Sequence, residues 1–201
     1  VRALGAITQK NFVVLTGGPG TGKTTTVARM IEILRQTNPE KKLTVKLAAP
    51  TGKAANRLKE SIQNEAPSSE NDFYSNLKAV TLHKLLGAKP GVIEGFKYDA
   101  KNKLPGDVFI IDEASMIPLL MFKKFLEAIP QDAKVIVIGD PDQLASVEVG
   151  TVLSDIVKGM QNQARCDTSI DLSASIKLDD TLKKLWEKTT TSTEEQWPND
   201  H

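Results

Sequence analysis

The chain has 201 residues, 40% of them hydrophobic and 25% charged, with a formal net charge of +1. That is enough chain for one sizeable domain of ordinary globular composition, and the near-neutral balance excludes a broadly basic surface, so any grip on a phosphate backbone must come from a local patch or a shared groove. The single cysteine, Cys166, cannot close an internal disulfide and has no reactive-thiol motif around it; this fits a cytoplasmic protein, and no stretch reaches the ~18 apolar residues of a membrane span.

In chain order, Val1-Arg2-Ala3-Leu4 is not a signal peptide, and the absence of an initial methionine reads as a piece of something longer. Phe12 to Thr16 (FVVLT) is a short apolar run ending in glycines, the pattern of a buried strand. From Lys23 to about Arg35, Val27, Met30, Ile31 and Leu34 recur at helical spacing, and Asn38-Pro39 ends that helix. Thr44 to Ala48 reads as a second strand, stopped by Pro50-Thr51-Gly52, and Lys53 to about Ile62 as a helix. Asn64 to Asn76 is polar, carries Pro67-Ser68-Ser69, and reads as a variable loop. Thr81 to Leu86 is a short apolar turn or helix. An insertion around 88–105 is glycine- and lysine-bearing and non-periodic, with room for a small hairpin.

Val108 to Ile111 (VFII) is a third strand with acids directly after it. Leu119 to Ile129 is a helix and Lys134 to Ile138 (KVIVI) a fourth strand. All-apolar strands separated by helices argue for a parallel α/β sheet with helices on both faces. The composition changes after about Gly159. Leu178, Leu182 and Leu185 suggest one short amphipathic helix, and Thr189 to His201 is polar. The expected organisation is a packed domain over 1–160 and a partly ordered or disordered tail over 161–201.

The chemistry begins at Gly17-Gly18-Pro19-Gly20-Thr21-Gly22-Lys23-Thr24, which fits G-x-x-x-x-G-K-[ST] in full, after a strand and opening a helix. Glycines let the backbone wrap an anion, so that amide N–H groups and the helix N-terminus, Thr25 included, point at phosphates. Lys23 would reach the β- and γ-phosphates of ATP, and the Thr24 hydroxyl would ligate Mg²⁺. Asp112-Glu113 follows the apolar strand, where two carboxylates are costly unless they meet a cation. Downstream of a phosphate loop, Asp112 is the candidate for holding Mg²⁺ and Glu113 for orienting or deprotonating the attacking water. Alone, the pair also suits a helix N-cap. Gln143, after the fourth strand in Gly139-Asp140-Pro141-Asp142-Gln143-Leu144, stands at the sheet edge where ligands bind, and is either a γ-phosphate contact or part of a plain turn.

GGPGTGKTTT, LAAPTGKAANRL, TLHKLLG, FIIDEASM and VIGDPDQLASVEVG, in this order, resemble motor domain 1A of superfamily 1 helicases. The nearest likeness is to RecD-type helicases, meaning the alpha subunit of exodeoxyribonuclease V and its stand-alone relatives, over Asn11 to Leu153. The resemblance implies a P-loop NTPase (RecA-like) fold. It implies that Lys23 and Thr24 serve phosphate and magnesium, Asp112 the metal, and Glu113 the water, with Gln143 sensing the γ-phosphate. Pro50-Thr51-Gly52-Lys53-Ala54 is similar to motif Ia, whose loop grips single-stranded DNA, with Lys53 and Arg57 adding charge. Thr81 and His83 lie where the family has a further DNA-contacting segment; a lone histidine is more often structural.

Two departures matter. Gln9 is too close to Gly17 to be the family's adenine-binding glutamine. Nothing from Met160 to His201, Arg165 included, resembles the second motor domain with the arginines that complete the ATP site. The implied activity is the ATP-binding half of a DNA helicase, moving 5′ to 3′ on single-stranded DNA in double-strand break repair, with a second motor domain and exodeoxyribonuclease V subunits as partners and no membrane. Alone it is expected to bind Mg-ATP, hydrolyse it poorly and not unwind DNA. The alternatives are a relaxase-linked or RNA-directed helicase of the same superfamily and a nucleotide-dependent binding module that does not translocate.

Overall fold

Strands that are apolar on both faces need cover on both, and the computed structural model, which describes residues 2–18, 20–66, 71–88 and 95–140, supplies it. Pro19, Pro67-Ser68-Ser69, Gln143, Arg165, Cys166, the Leu178–Leu185 stretch and the whole of 161–201 lie outside the described residues. β1 (Phe12–Thr16), β2 (Val45–Ala49), β3 (Ala79–Thr81), β4 (Val108–Ile111) and β5 (Lys134–Gly139) form one five-stranded sheet in the order β1-β5-β4-β2-β3, every pairing parallel.

β4 is central and buried along its length. Its side chains alternate between two cores, as strand geometry requires. Val108 and Ile110 join the layer of α1 (Arg2–Gln9), α2 (Lys23–Gln36), α3 (Gly52–Asn64) and α4 (Asn71–Ser75), through Ile7, Ile31, Leu58 and Tyr74. Phe109 and Ile111 join α5 (Leu82–Leu86) and α6 (Leu119–Ala128), where Phe109 meets Phe125 edge-on with ring centroids 6.2 Å apart. The expected RecA-like parallel sheet with helices on both faces is what the chain forms.

The helix ends have local causes. Thr51 caps α3 by accepting from the Ala54 amide at 3.2 Å, and Thr81 caps α5 by accepting from Lys84 at 3.2 Å. α5 stops at Gly87, whose left-handed φ of 69° suits a residue without Cβ.

Boundaries move by a residue or two from the sequence expectation: β2 is Val45–Ala49, α3 runs on to Asn64, and α6 stops at Ala128. Three elements lie where the sequence reading places none. β3 is too short for a periodic signal. α1 gives Ile7 to the core, with Ala6 packed partly buried against it. α4 sits inside the stretch read as a variable loop, held by Tyr74, whose hydroxyl donates to the buried Glu32 carboxylate at 3.3 Å. The described ends of the 88–105 stretch are tied to the rest of the fold. Ala88 bridges Phe96 antiparallel, and the buried Leu104 donates its amide to Ala128 at 2.8 Å; residues 89–94 lie outside the described residues.

Candidate nucleotide site

Parallel sheets present ligand sites at the carboxyl ends of their strands. β1 exits there into Gly17, at φ 152°, where a Cβ would come within 2.9 Å of Thr21 Oγ1. That hydroxyl cannot retreat freely, because it donates to the Gly18 carbonyl at 2.9 Å. Gly22 closes the loop in the left-handed region and caps α2 without a side-chain acceptor. The first-turn amides, with Lys23, Thr24 and Thr25, are therefore not claimed by a capping side chain, and an anion fits there. Gly18 and Gly20 complete the cradle; Pro19 lies outside the described residues. Lys23 Nζ donates to the carbonyls of Gly17 at 2.5 Å and Gly18 at 2.6 Å, which holds the ammonium across the loop with a third N–H left for a phosphate oxygen.

The acidic pair leaves β4 at the same edge. Asp112 is half-buried; its amide donates to Ala48 O at 3.0 Å, and its Oδ1 accepts from the Glu113 amide at 2.8 Å. Burial pushes the Asp112 carboxyl above its ordinary value; the hydrogen bond from the Glu113 amide opposes that, the Glu113 carboxylate adds to the push, and the Lys23 ammonium opposes it more weakly. Glu113 is in the left-handed region, φ 54° and ψ 39°, unusual for a non-glycine residue and a mark of backbone strain at functional sites. It caps a 3-10 turn over Ala114–Met116 without spending its carboxylate on the turn amides.

Among the described residues no group of three or more His, Cys, Asp or Glu could cage a metal. One aspartate and one hydroxyl beside a phosphate cradle is instead the donor set Mg²⁺ accepts, since it keeps waters and shares substrate phosphates. Thr24 and Asp112 fit that role. Gln143 lies outside the described residues, beyond Asp140, which follows the carboxyl end of β5.

β2 and β3 end side by side, with Ala49 registered to Thr81. This brings Pro50-Thr51-Gly52-Lys53 next to Thr81 and His83 at one corner of the sheet. Lys53 and Arg57 are exposed one helical turn apart on α3. The Thr51 and Thr81 hydroxyls already cap helices, which leaves backbone amides and the exposed Lys53 and Arg57 as the groups free to meet an anion at this corner. His83 is exposed, its ring 6.4 Å from Phe96. Sequence reasoning missed Ser115, which is 7% exposed inside the turn after the acids, its Oγ without a hydrogen-bond partner. Only its place in the DEAS run could have pointed to it.

A family model described as an AAA domain matches residues 1–149. The RecBCD enzyme subunit RecD of Mycolicibacterium smegmatis is 46% identical over 159 residues, covering 75% of this chain and 28% of that protein. The same subunit of Haemophilus influenzae is 43% identical over 155 residues, covering 73% and 24%. The ATP-dependent RecD2 DNA helicase of Deinococcus radiodurans is 39% identical over 142 residues, covering 71% and 17%. The chain therefore spans less than a third of the length of these relatives. The family match takes in every strand of the sheet, the glycine cradle and the acid pair: the chain belongs to the AAA domain family, alongside RecD-type helicase chains.

Proposed function

We propose that the chain is the ATP-binding half of a DNA helicase motor, working 5′ to 3′ on single-stranded DNA in recombinational double-strand break repair as part of an exodeoxyribonuclease V-like enzyme. One observation carries this reading. The Asp112 amide, beside the nucleotide site, is hydrogen-bonded to the carbonyl of Ala48, two residues before Pro50 and five before the exposed Lys53. In this reading that pair of strands connects nucleotide state at the acid pair with a backbone grip at the end of β2. The names of the relatives support it: RecD subunits and a RecD2 helicase share this stretch of sequence.

In this reading the amides of Gly20 to Thr25 and the Lys23 ammonium bind the ATP phosphates. Thr24 and Asp112 hold Mg²⁺, which when bound offsets charge on those phosphates. Glu113 orients the attacking water and accepts its proton. Gln143 follows the γ-phosphate. Pro50, Thr51, Gly52, Lys53, Arg57, Thr81 and His83 line the DNA edge. Phosphoryl transfer in P-loop enzymes draws much of its rate from an arginine supplied across a cleft, and a second motor domain of the full-length protein would bring it.

The test is steady-state Mg-ATP hydrolysis with and without oligo-dT, on this chain, on the full-length protein and on its Lys23→Ala variant. Full-length turnover should rise with DNA and fall to background in the variant, while this chain alone stays near background. Robust turnover by this chain alone would overturn the half-site reading. Full-length turnover indifferent to DNA would overturn the motor.

A further inference from the structure

The turn that follows the acid pair packs against β5, the strand lying between β4 with its Asp112 and β1 with its phosphate loop. Ser115 is in this turn. Its neighbours Ala114 and Ile117 belong to the core formed with Val135 and Val137, and its own side chain is buried with an unpartnered hydroxyl. A buried hydroxyl without a partner is costly, and an alanine of nearly the same size would remove the cost. Two residues before it stands Glu113, strained into the left-handed region and with a carboxylate that the turn amides do not take up.

We infer that Ser115 is a positioning residue for hydrolysis: its Oγ–H donates to the Glu113 carboxylate when nucleotide is bound, and fixes the direction in which Glu113 faces the attacking water. This rests on the nucleotide-hydrolysing reading above. No bond is made or broken at Ser115. The hydroxyl selects one side-chain conformation of the neighbouring base, and the left-handed turn brings donor and acceptor onto one short arc of chain.

The experiment uses the full-length protein. Ser115→Ala should lower kcat about tenfold, the worth of one hydrogen bond to a charged group, with the KM for ATP within about twofold. Ser115→Thr, which keeps the hydroxyl, should retain most of the activity. In a Glu113→Gln background, followed by single-turnover hydrolysis, Ser115→Ala should cost little more, because the two side chains act as one unit. A readout independent of turnover is melting without nucleotide, where Ser115→Ala should melt no lower than the parent because it loses only an orphaned group. A clearly lower melting temperature would make the role structural and overturn the inference. So would full kcat in Ser115→Ala, or an undiminished loss in the Glu113→Gln background. If Glu113→Gln itself kept full turnover, the fault would lie with the proposed base and not with Ser115.

Discussion

At the scale of single residues, the site carries costs that a purely structural turn would shed. Asp112 is pushed toward its neutral form chiefly by burial, against the hydrogen bond from the Glu113 amide and the Lys23 charge. A carboxyl whose folded value is raised favours the fold below its ordinary value and works against it once ionised at neutral pH. Asp112→Asn should therefore leave the nucleotide-free melting temperature unchanged or a few degrees higher, while Mg²⁺-dependent ATP binding falls at least about tenfold. Calorimetry with and without Mg-nucleotide checks both halves. A variant that melts lower and still binds would show Asp112 to be a structural cap. Gly17→Ala is the contrasting case. Its Cβ would meet Thr21 Oγ1 at 2.9 Å from a backbone held at φ 152°, so it should cost about 1–3 kcal/mol and distort the cradle. Denaturant unfolding and nucleotide titration on the same sample measure the two effects.

At the scale of elements, the amino ends of β2 and β4 are fastened by Asp107. Its Oδ2 accepts from the Thr44 amide at 2.8 Å, and Lys41 Nζ lies 2.6 Å from its Oδ1. Burial works to raise this carboxyl, but the Lys41 and Thr44 donors overcome it and hold it below its ordinary value. The stabilisation is thus present above the ordinary carboxylate range and lost as pH falls through the lowered value. Asp107→Asn should cost about 1 kcal/mol at neutral pH, and the gap should close once the pH is low enough to protonate Asp107 in the fold. Urea unfolding at both pH values decides, since a gap that persists in acid would not be electrostatic. The same elements show why some of the fold is legible and some is not. β1, β4 and β5 announce themselves because uninterrupted apolar runs ending at glycine or acid have one cheap home, the centre of a covered sheet. β3 has only three residues, none of them fully buried, and no periodicity to find. The Phe73-Tyr74 pair in a polar stretch was a readable sign of α4, since two aromatics rarely stay exposed together. The insertion of β5 between β1 and β4 is written in no local pattern; it follows from long-range pairing. The phosphate loop and acid pair were legible because their spacing is set by the anion and cation they suit. Ser115 and the left-handed Glu113 were not, because burial and dihedral angle are properties of the fold.

At the scale of the whole molecule, a formal charge of +1 leaves no general field to draw in nucleic acid. On the proposed motor reading, attraction to a DNA backbone would be concentrated at the corner where β2 and β3 end, with a few cations accounting for most of it. Lys53 and Arg57 are the exposed cations one turn apart on α3, directly after the Pro50-Thr51-Gly52 loop. Each phosphate neutralised on a single strand releases counterions and contributes about 0.7 to the slope of log affinity against log salt. Replacing both residues by alanine in the full-length protein should lower that slope by about one to one and a half. It should also raise the oligo-dT concentration needed for half-maximal ATPase stimulation, most strongly at low salt where counterion release is most favourable. Because backbone contacts carry no sequence information, oligo-dT and mixed-sequence strands should weaken alike. Titrations at several salt concentrations give the slope directly. An unchanged slope would place these two side chains on a solvated helix face, and would leave the grip to the helix-start amides beside Thr51 and Thr81. Those amides cannot be removed by side-chain substitution, but they would still respond to Gly52→Pro, which deletes an N–H at the head of α3 while keeping a conformation that a first helical turn accepts.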